Sequence, residues 1–251
     1  MRRCFVGALL LCACSAGTLS AANLAISLGV RETGGSGPAF SDAGTGGGIE
    51  FVNLDGQTLT ADGSWQLFTF TPASDTLTAF AGATANSVLD TDWVSLEHIR
   101  IRNVDGITAP IRLWIDEIAN TSASGSAVEG FEGQTVGTEV MFQEPGFSGS
   151  TSGNVLAGGT SAVTDTMAFA GSLSYETNFQ FVDGTDSRWV RLTTFGTAIL
   201  QDPALLVRQA GAPNPTVSFY LKAIVIPEPA SLVLLGLGLV ALPLAARRRA
   251  G

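Results

Sequence analysis

Between Asn23 and Ile226 the chain repeats one local pattern: short runs of β-branched and aromatic residues, each closed by Gly, Asp or Asn, with no sustained helical period. Such runs fall near residues 24–30, 49–52, 57–60, 65–71, 96–102 and 111–118, and again near 128–132, 138–142, 166–169, 178–182, 189–194 and 217–224. Asp55-Gly56, Asp62-Gly63, Asp105-Gly106 and Asp183-Gly184 supply tight turns between them. Many short strands with turn signals predict an all-β fold of one or two β-sandwiches. Residues 121–127, small and uncharged, have the composition of a linker. They divide the body into residues 23–120 and 128–225, each about the size of one small sandwich. One larger sandwich built from both halves is the alternative.

The two ends follow other rules. Arg2 and Arg3, an apolar run over 5–13 and the small residues Ser20-Ala21-Ala22 have the plan of a secretory signal peptide over residues 1–22, a short helix that signal peptidase removes before Asn23 on export through the secretion machinery. A rival is lipoprotein processing at Cys14, which closes the partial lipobox Leu11-Cys12-Ala13-Cys14. Cys4, Cys12 and Cys14 all lie in this leader, so a chain cut before Asn23 has no cysteine. Disulfides, thiolate nucleophiles and Cys-based zinc are then excluded. At the other end, residues 226–251 read in three parts: the break Pro227-Glu228-Pro229, an uncharged apolar run over 230–246, and Arg247, Arg248 and Arg249. As a helix that run spans about 25 Å, the short end for a ~30 Å bilayer core. The prolines keep the helix from starting before Ala230 and hold Glu228 extended. The Arg cluster favours the cytoplasmic side.

Pro-Glu-Pro, an apolar transmembrane helix and an Arg cluster, in that order, resemble the PEP-CTERM sorting signal. The resemblance implies recognition by an exosortase, a membrane-embedded cysteine transpeptidase that cleaves near Pro227-Glu228-Pro229. It further implies a Gram-negative bacterium that makes exopolysaccharide, an inner-membrane intermediate, and a destination at the cell surface or in the extracellular matrix of a biofilm. The alternative is a permanently membrane-anchored protein with a carbohydrate-binding or weakly glycoside-hydrolysing domain.

With both ends set aside, the body carries 8 basic and 21 acidic residues, net −13. That balance disfavours nucleic acid, whose affinity rests on Lys and Arg against phosphate, and suits a soluble extracellular protein. No catalytic constellation stands out, and the expectation is a non-enzymatic structural or adhesion component that binds exopolysaccharide. The sole histidine, His98, sits within a strand-like run, where a lone His is a sheet residue rather than a ligand. His-rich zinc sites and Cys–His dyads are excluded. Gly44 to Gly48 lacks the Lys and following helix of a phosphate loop, and Ser148 to Ser152 lacks the strand–elbow–helix setting of a nucleophile.

The stretch 93–118 reads as two strands. In the first, Ile99 and Ile101 share a face opposite Arg100 and Arg102, yet Val94 and Leu96 fall on the Arg side. A β-bulge near Glu97-His98 restores one apolar face. Residues 65–118 resemble carbohydrate-binding jelly rolls of galactose-binding-like fold. That resemblance implies a sugar platform of Trp114 flanked by Arg100, Arg102 and Arg112, with the ring stacking on a sugar face; ordinary packing of Trp114 is the competing reading. It also implies a structural calcium between Glu50 and Asp116, against which stands a solvated strand end; no other cofactor is expected. Arg188, Trp189 and Arg191 form a second aromatic–cation cluster, read as structural.

Overall fold

A computed structural model describes residues 21–32, 47–90, 93–122, 125–194, 206–208 and 216–226. Residues 1–20 of the leader, with its cysteines, the two expected terminal helices and the sorting signal Pro227–Pro229 with Arg247 to Arg249 lie outside the described residues. Those residues form strands β1 (Asn23–Glu32), β2 (Ile49–Thr60), β3 (Asp62–Phe70), β4 (Leu77–Ala81), β5 (Trp93–Asn103), β6 (Ile111–Ser122), β7 (Gly125–Glu129), β8 (Thr160–Thr164), β9 (Ser174–Phe179), β10 (Trp189–Thr193), β11 (Leu206–Arg208) and β12 (Thr216–Val225). The only helical element among them is a single 3₁₀ turn, Ser152–Asn154. None is long and apolar enough to cross a membrane.

The strands build two antiparallel sheets packed as a sandwich. One runs β10-β5-β1-β2-β4, the other β3-β12-β6-β9-β8. In the first, β10 and β11 share one edge of β5 in tandem, opposite residues 98–102 and 93–95, while β1 lines the other edge. In the second, β9 and β7 share one edge of β6 in the same way. Alternation drives the packing. Leu24, Ile26, Leu28 and Val30 of β1 and Ile111, Leu113 and Ile115 of β6 are fully buried on the inner faces. β12 alternates buried and half-buried residues along nearly its whole length, and its Phe219 stacks between Phe68 and Phe70, 6.1 and 6.0 Å between ring centres.

The predicted bulge is present. Gly29 pairs with His98 and Val30 with Leu96, so Glu97 is the extra residue of β5. It brings Leu96 onto the inner face with Ile99 and Ile101. Other expectations change. Where a linker over 121–127 was expected, Asn120–Ser122 end β6, and Gly125–Ala127 pair back on them as β7. Each sheet draws strands from both sides of that hairpin, so the described strands β1 to β12 make one sandwich. Asp55-Gly56 does not reverse the chain; β2 runs through it with Gly56 at φ +85°, a kink that coincides with a register shift against β1. Residues 138–142 contribute one isolated bridge, Phe142 to Thr194, and residues 166–169 form part of the β8–β9 loop rather than a strand.

Candidate functional site

The outer face of the first sheet gathers side chains from five strands. On β5 the bulge sends His98, Arg100 and Arg102 outward together, opposite the buried Ile99 and Ile101. Arg31 comes from β1, Phe51 from β2, Phe80 from β4, and Trp189 and Arg191 from β10. Phe51 and Phe80 lie 4.5 Å apart between ring centres, and each is 5.8 Å from Trp189. His98 stands edge-on to both phenyl rings, at 5.5 and 5.8 Å. Arg100 lies over Trp189 at 5.0 Å and over Phe51 at 5.6 Å, and Arg191 over Phe80 at 5.2 Å, which is cation–π distance.

Glycine makes room for this layer. Gly29 pairs directly with His98, and a Cβ there would sit 1.9 Å from the ring Cε1. His98 has no solvent exposure, and Gly29 accepts the imidazole flat against the strand. Its Nδ1 bonds Glu97, and its Nε2 meets no partner among the described residues.

Electrostatics follow from the burial. Desolvation works against the Glu97 carboxylate, but the charge attraction and hydrogen bond of His98 and the guanidinium groups of Arg191 and Arg31 outweigh it and hold the group down at about 2. Arg191 grips Glu97 with two nitrogens, and Arg31 approaches to 3.7 Å. Burial pulls the imidazole of His98 down from its ordinary value, against the pull of Glu97. Its Nδ1 lies within hydrogen-bond reach of both Glu97 and, at 3.2 Å, the Arg191 Nε. Arg100, pressed under the rings, is pushed down to about 10 by burial, with Arg102 adding to the shift. Its NH1 donates to the Leu54 carbonyl at 3.0 Å. Four of the body's 8 basic residues thus stand on one face. Among the described residues Glu97 is the carboxylate that ion-pairs with any of them.

The residues expected to form a sugar platform are split by the fold. Arg100 and Arg102 are on the first sheet; Arg112 and Trp114 are on β6 in the second. Trp114 is 4% exposed, with Arg112 and Lys222 over its ring at 5.8 and 6.0 Å and Thr166 at 3.4 Å from its Nε1. The β8–β9 loop covers it, so the packing reading of Trp114 fits this geometry. The expected calcium pair is split in the same way. Glu50, on β2, accepts the N–H groups of Asn86 and Ser87 at 2.7 and 3.0 Å. Asp116, on β6, accepts those of Phe169 and Ala170 at 2.7 and 3.1 Å and that of Glu117 at 2.8 Å. Among the described residues no group of three or more His, Cys, Asp and Glu is placed to hold a metal ion.

The cluster of Arg188, Trp189 and Arg191 also divides. Arg188 pairs with Asp183 at 2.7 Å, at the end of the sandwich, while its two neighbours join the β5 face. Phe51, Phe80, Arg31 and Glu97 were not singled out from the sequence. The bulge near Glu97 was the available signal, since it aligns His98 with Arg100 and Arg102; the pairing of β10 with β5, nearly ninety residues apart, leaves no local mark.

No curated protein and no solved structure matches the chain. A family model matches the tail. Residues 225–249 match the PEP-CTERM protein-sorting motif, so this sandwich carries an exosortase signal and is an exported protein sorted to the cell surface.

Proposed function

We propose that the chain is a non-enzymatic surface or matrix protein of a Gram-negative bacterium, held in the inner membrane by residues 230–246 until its tail is removed, and that the outer face of its first sheet binds acidic exopolysaccharide. The observation that carries the binding reading is the concentration of Arg31, Arg100, Arg102 and Arg191 around Phe51, Phe80 and Trp189 on a body of net −13. Aromatic rings offer flat apolar surface to the C–H face of a sugar, and guanidinium groups match carboxylates bidentately. Trp189 and Arg191 are half-buried, so each keeps an accessible part. His98, the sole histidine, is enclosed and bound to Glu97, which supports a binding rather than a catalytic role.

The test is affinity electrophoresis of residues 23–226 through gels containing a polyuronate or a neutral glucan. Retardation by the polyuronate that weakens with salt and drops several-fold in Trp189→Ala and Arg191→Gln is expected. Equal mobility in both gels, or variants retarded like the unmutated protein, sinks the binding reading.

A further inference from the structure

The sorting signal and the fold share residues. The matched motif opens at residue 225, and β12 runs to Val225. Val225 still pairs with Ile111, Ile224 pairs with both Arg112 and Asp62, and the Ile226 N–H donates to the Pro110 carbonyl at 2.8 Å. Because β12 lies between β3 and β6, its end is held on both edges and cannot peel away without opening the second sheet. Only Pro227, Glu228 and Pro229 separate the bonded Ile226 from the apolar run. Three extended residues reach roughly 10 Å at most. An enzyme acting at that break therefore meets the end of the sandwich as well as the tail.

This end, or pole, is well defined. The loop 104–110 meets the loop 182–187 where Gly106 and Gly184 touch. Asn23 reaches the same loop, its N–H donating to Asp105 Oδ2 at 2.8 Å. Beside Ile226 a cleft of about 230 Å³ is lined by Pro110, Gln180 and Leu156, the last 44% exposed. Asp62, Asp105, Asp183 and Asp186 lie around the pole, while Arg112 pairs with Glu176 and Arg188 with Asp183. A surface of this sign is repelled by anionic lipid and suits a protein face of opposite charge.

We propose that this pole is a docking surface for the membrane-embedded sorting enzyme, which works against the folded sandwich with β12 still locked in place. The inference rests on the sorting and anchoring reading above. The test follows tail loss by mass spectrometry in the exporting cell, for the unmutated chain and for Leu156→Asp and Asp186→Lys. Each is made with and without a Gly-Ser spacer of about twelve residues, roughly 20 Å of reach, between Ile226 and Pro227. An unmutated chain that keeps its tail defeats the sorting reading itself and is scored first. Docking predicts that both variants, folded by circular dichroism, lose the tail several-fold more slowly at native spacing and match the unmutated chain once the spacer is present. Three results overturn it: variants processed at the unmutated rate, a defect that persists unchanged with the spacer, or faster processing of Asp186→Lys, which would indicate contact with lipid.

Discussion

At the residue scale the informative position is Glu97. As the extra residue of β5 it turns the Leu96 side chain inward, and its own carboxylate collects His98, Arg191 and Arg31 outward. Its proton affinity gives a stability prediction. A carboxylate held at about 2 against an ordinary 4.5 contributes stability that is complete above 4.5 and lost as pH falls toward 2. The shift corresponds to about 3 kcal/mol. His98 acts in the same direction at higher pH. Its folded value lies below the ordinary 6.5, so the unfolded chain takes up the proton first and stability declines as pH falls below 6.5. Glu32, Asp116 and Glu117, raised by burial, pull the opposite way as pH falls through their own titrations. With one histidine in the chain, the His98→Gln variant isolates its share. Below pH 6.5 the melting temperature of the unmutated protein should fall more steeply than that of His98→Gln. Equal slopes would contradict an imidazole depressed by burial.

At the element scale the β8–β9 loop explains why sequence patterning misplaced a strand. Residues 166–169, Thr-Met-Ala-Phe, have strand-like composition, yet the loop lies over the outer face of the second sheet. Phe169 stacks on Tyr220 at 3.6 Å, and Lys222 Nζ reaches Met167 Sδ at 3.5 Å. Two carboxylates hold the loop down: Asp116 through the N–H groups of Phe169 and Ala170, and Glu132 through those of Ser172 and Leu173. β9 was partly hidden because its outward residues, Glu176 and Asn178, are polar, while Tyr175, Thr177 and Phe179 face inward. The first half was more legible. β1, β5 and β6 carry long aliphatic alternations; the interruption at Glu97 announced its own bulge, whereas the one at Glu117, where β6 slips against β12 and Ile118 turns into the core, did not. Asp116→Ala should leave three backbone donors unmet, those of Glu117, Phe169 and Ala170, at about 1–3 kcal/mol each where they stay buried, and expose Trp114. The expected signature is a lower melting temperature with red-shifted tryptophan emission. A chelator should leave the unmutated melt in place, because the carboxylates of Glu50 and Asp116 are already occupied by N–H groups; a chelator-sensitive melt would restore the calcium reading.

At the scale of the whole molecule, composition and turn signals were enough for the all-β class but not for the pairing of strands remote in sequence. The first sheet places β10 and β11 beside β5, and the second places β12 between β3 and β6. Neither segment, 23–120 or 128–225, can therefore close its own sandwich. Residues 23–120 would keep β1, β2, β4 and β5 as a sheet but leave β3 and β6 without the strand that joins them. Leu113, Ile115, Phe68 and Phe70 would lose Phe219 and Leu221 as cover. Residues 128–225 would hold β8 with β9, but β10 and β12 would each lack the strands they pair with. Each piece should be unfolded when expressed alone, with collapsed amide dispersion by NMR. Residues 23–226 should fold without the tail, since β12 is complete at Val225. A well-dispersed spectrum from either half would mean that it forms a sandwich of its own, and the two-domain reading of the sequence would then replace the single one. If instead the halves fold only when mixed, the interface they recreate includes the ladders of β10 on β5 and β9 on β6 and those on both sides of β12, the strand whose end presents the sorting signal.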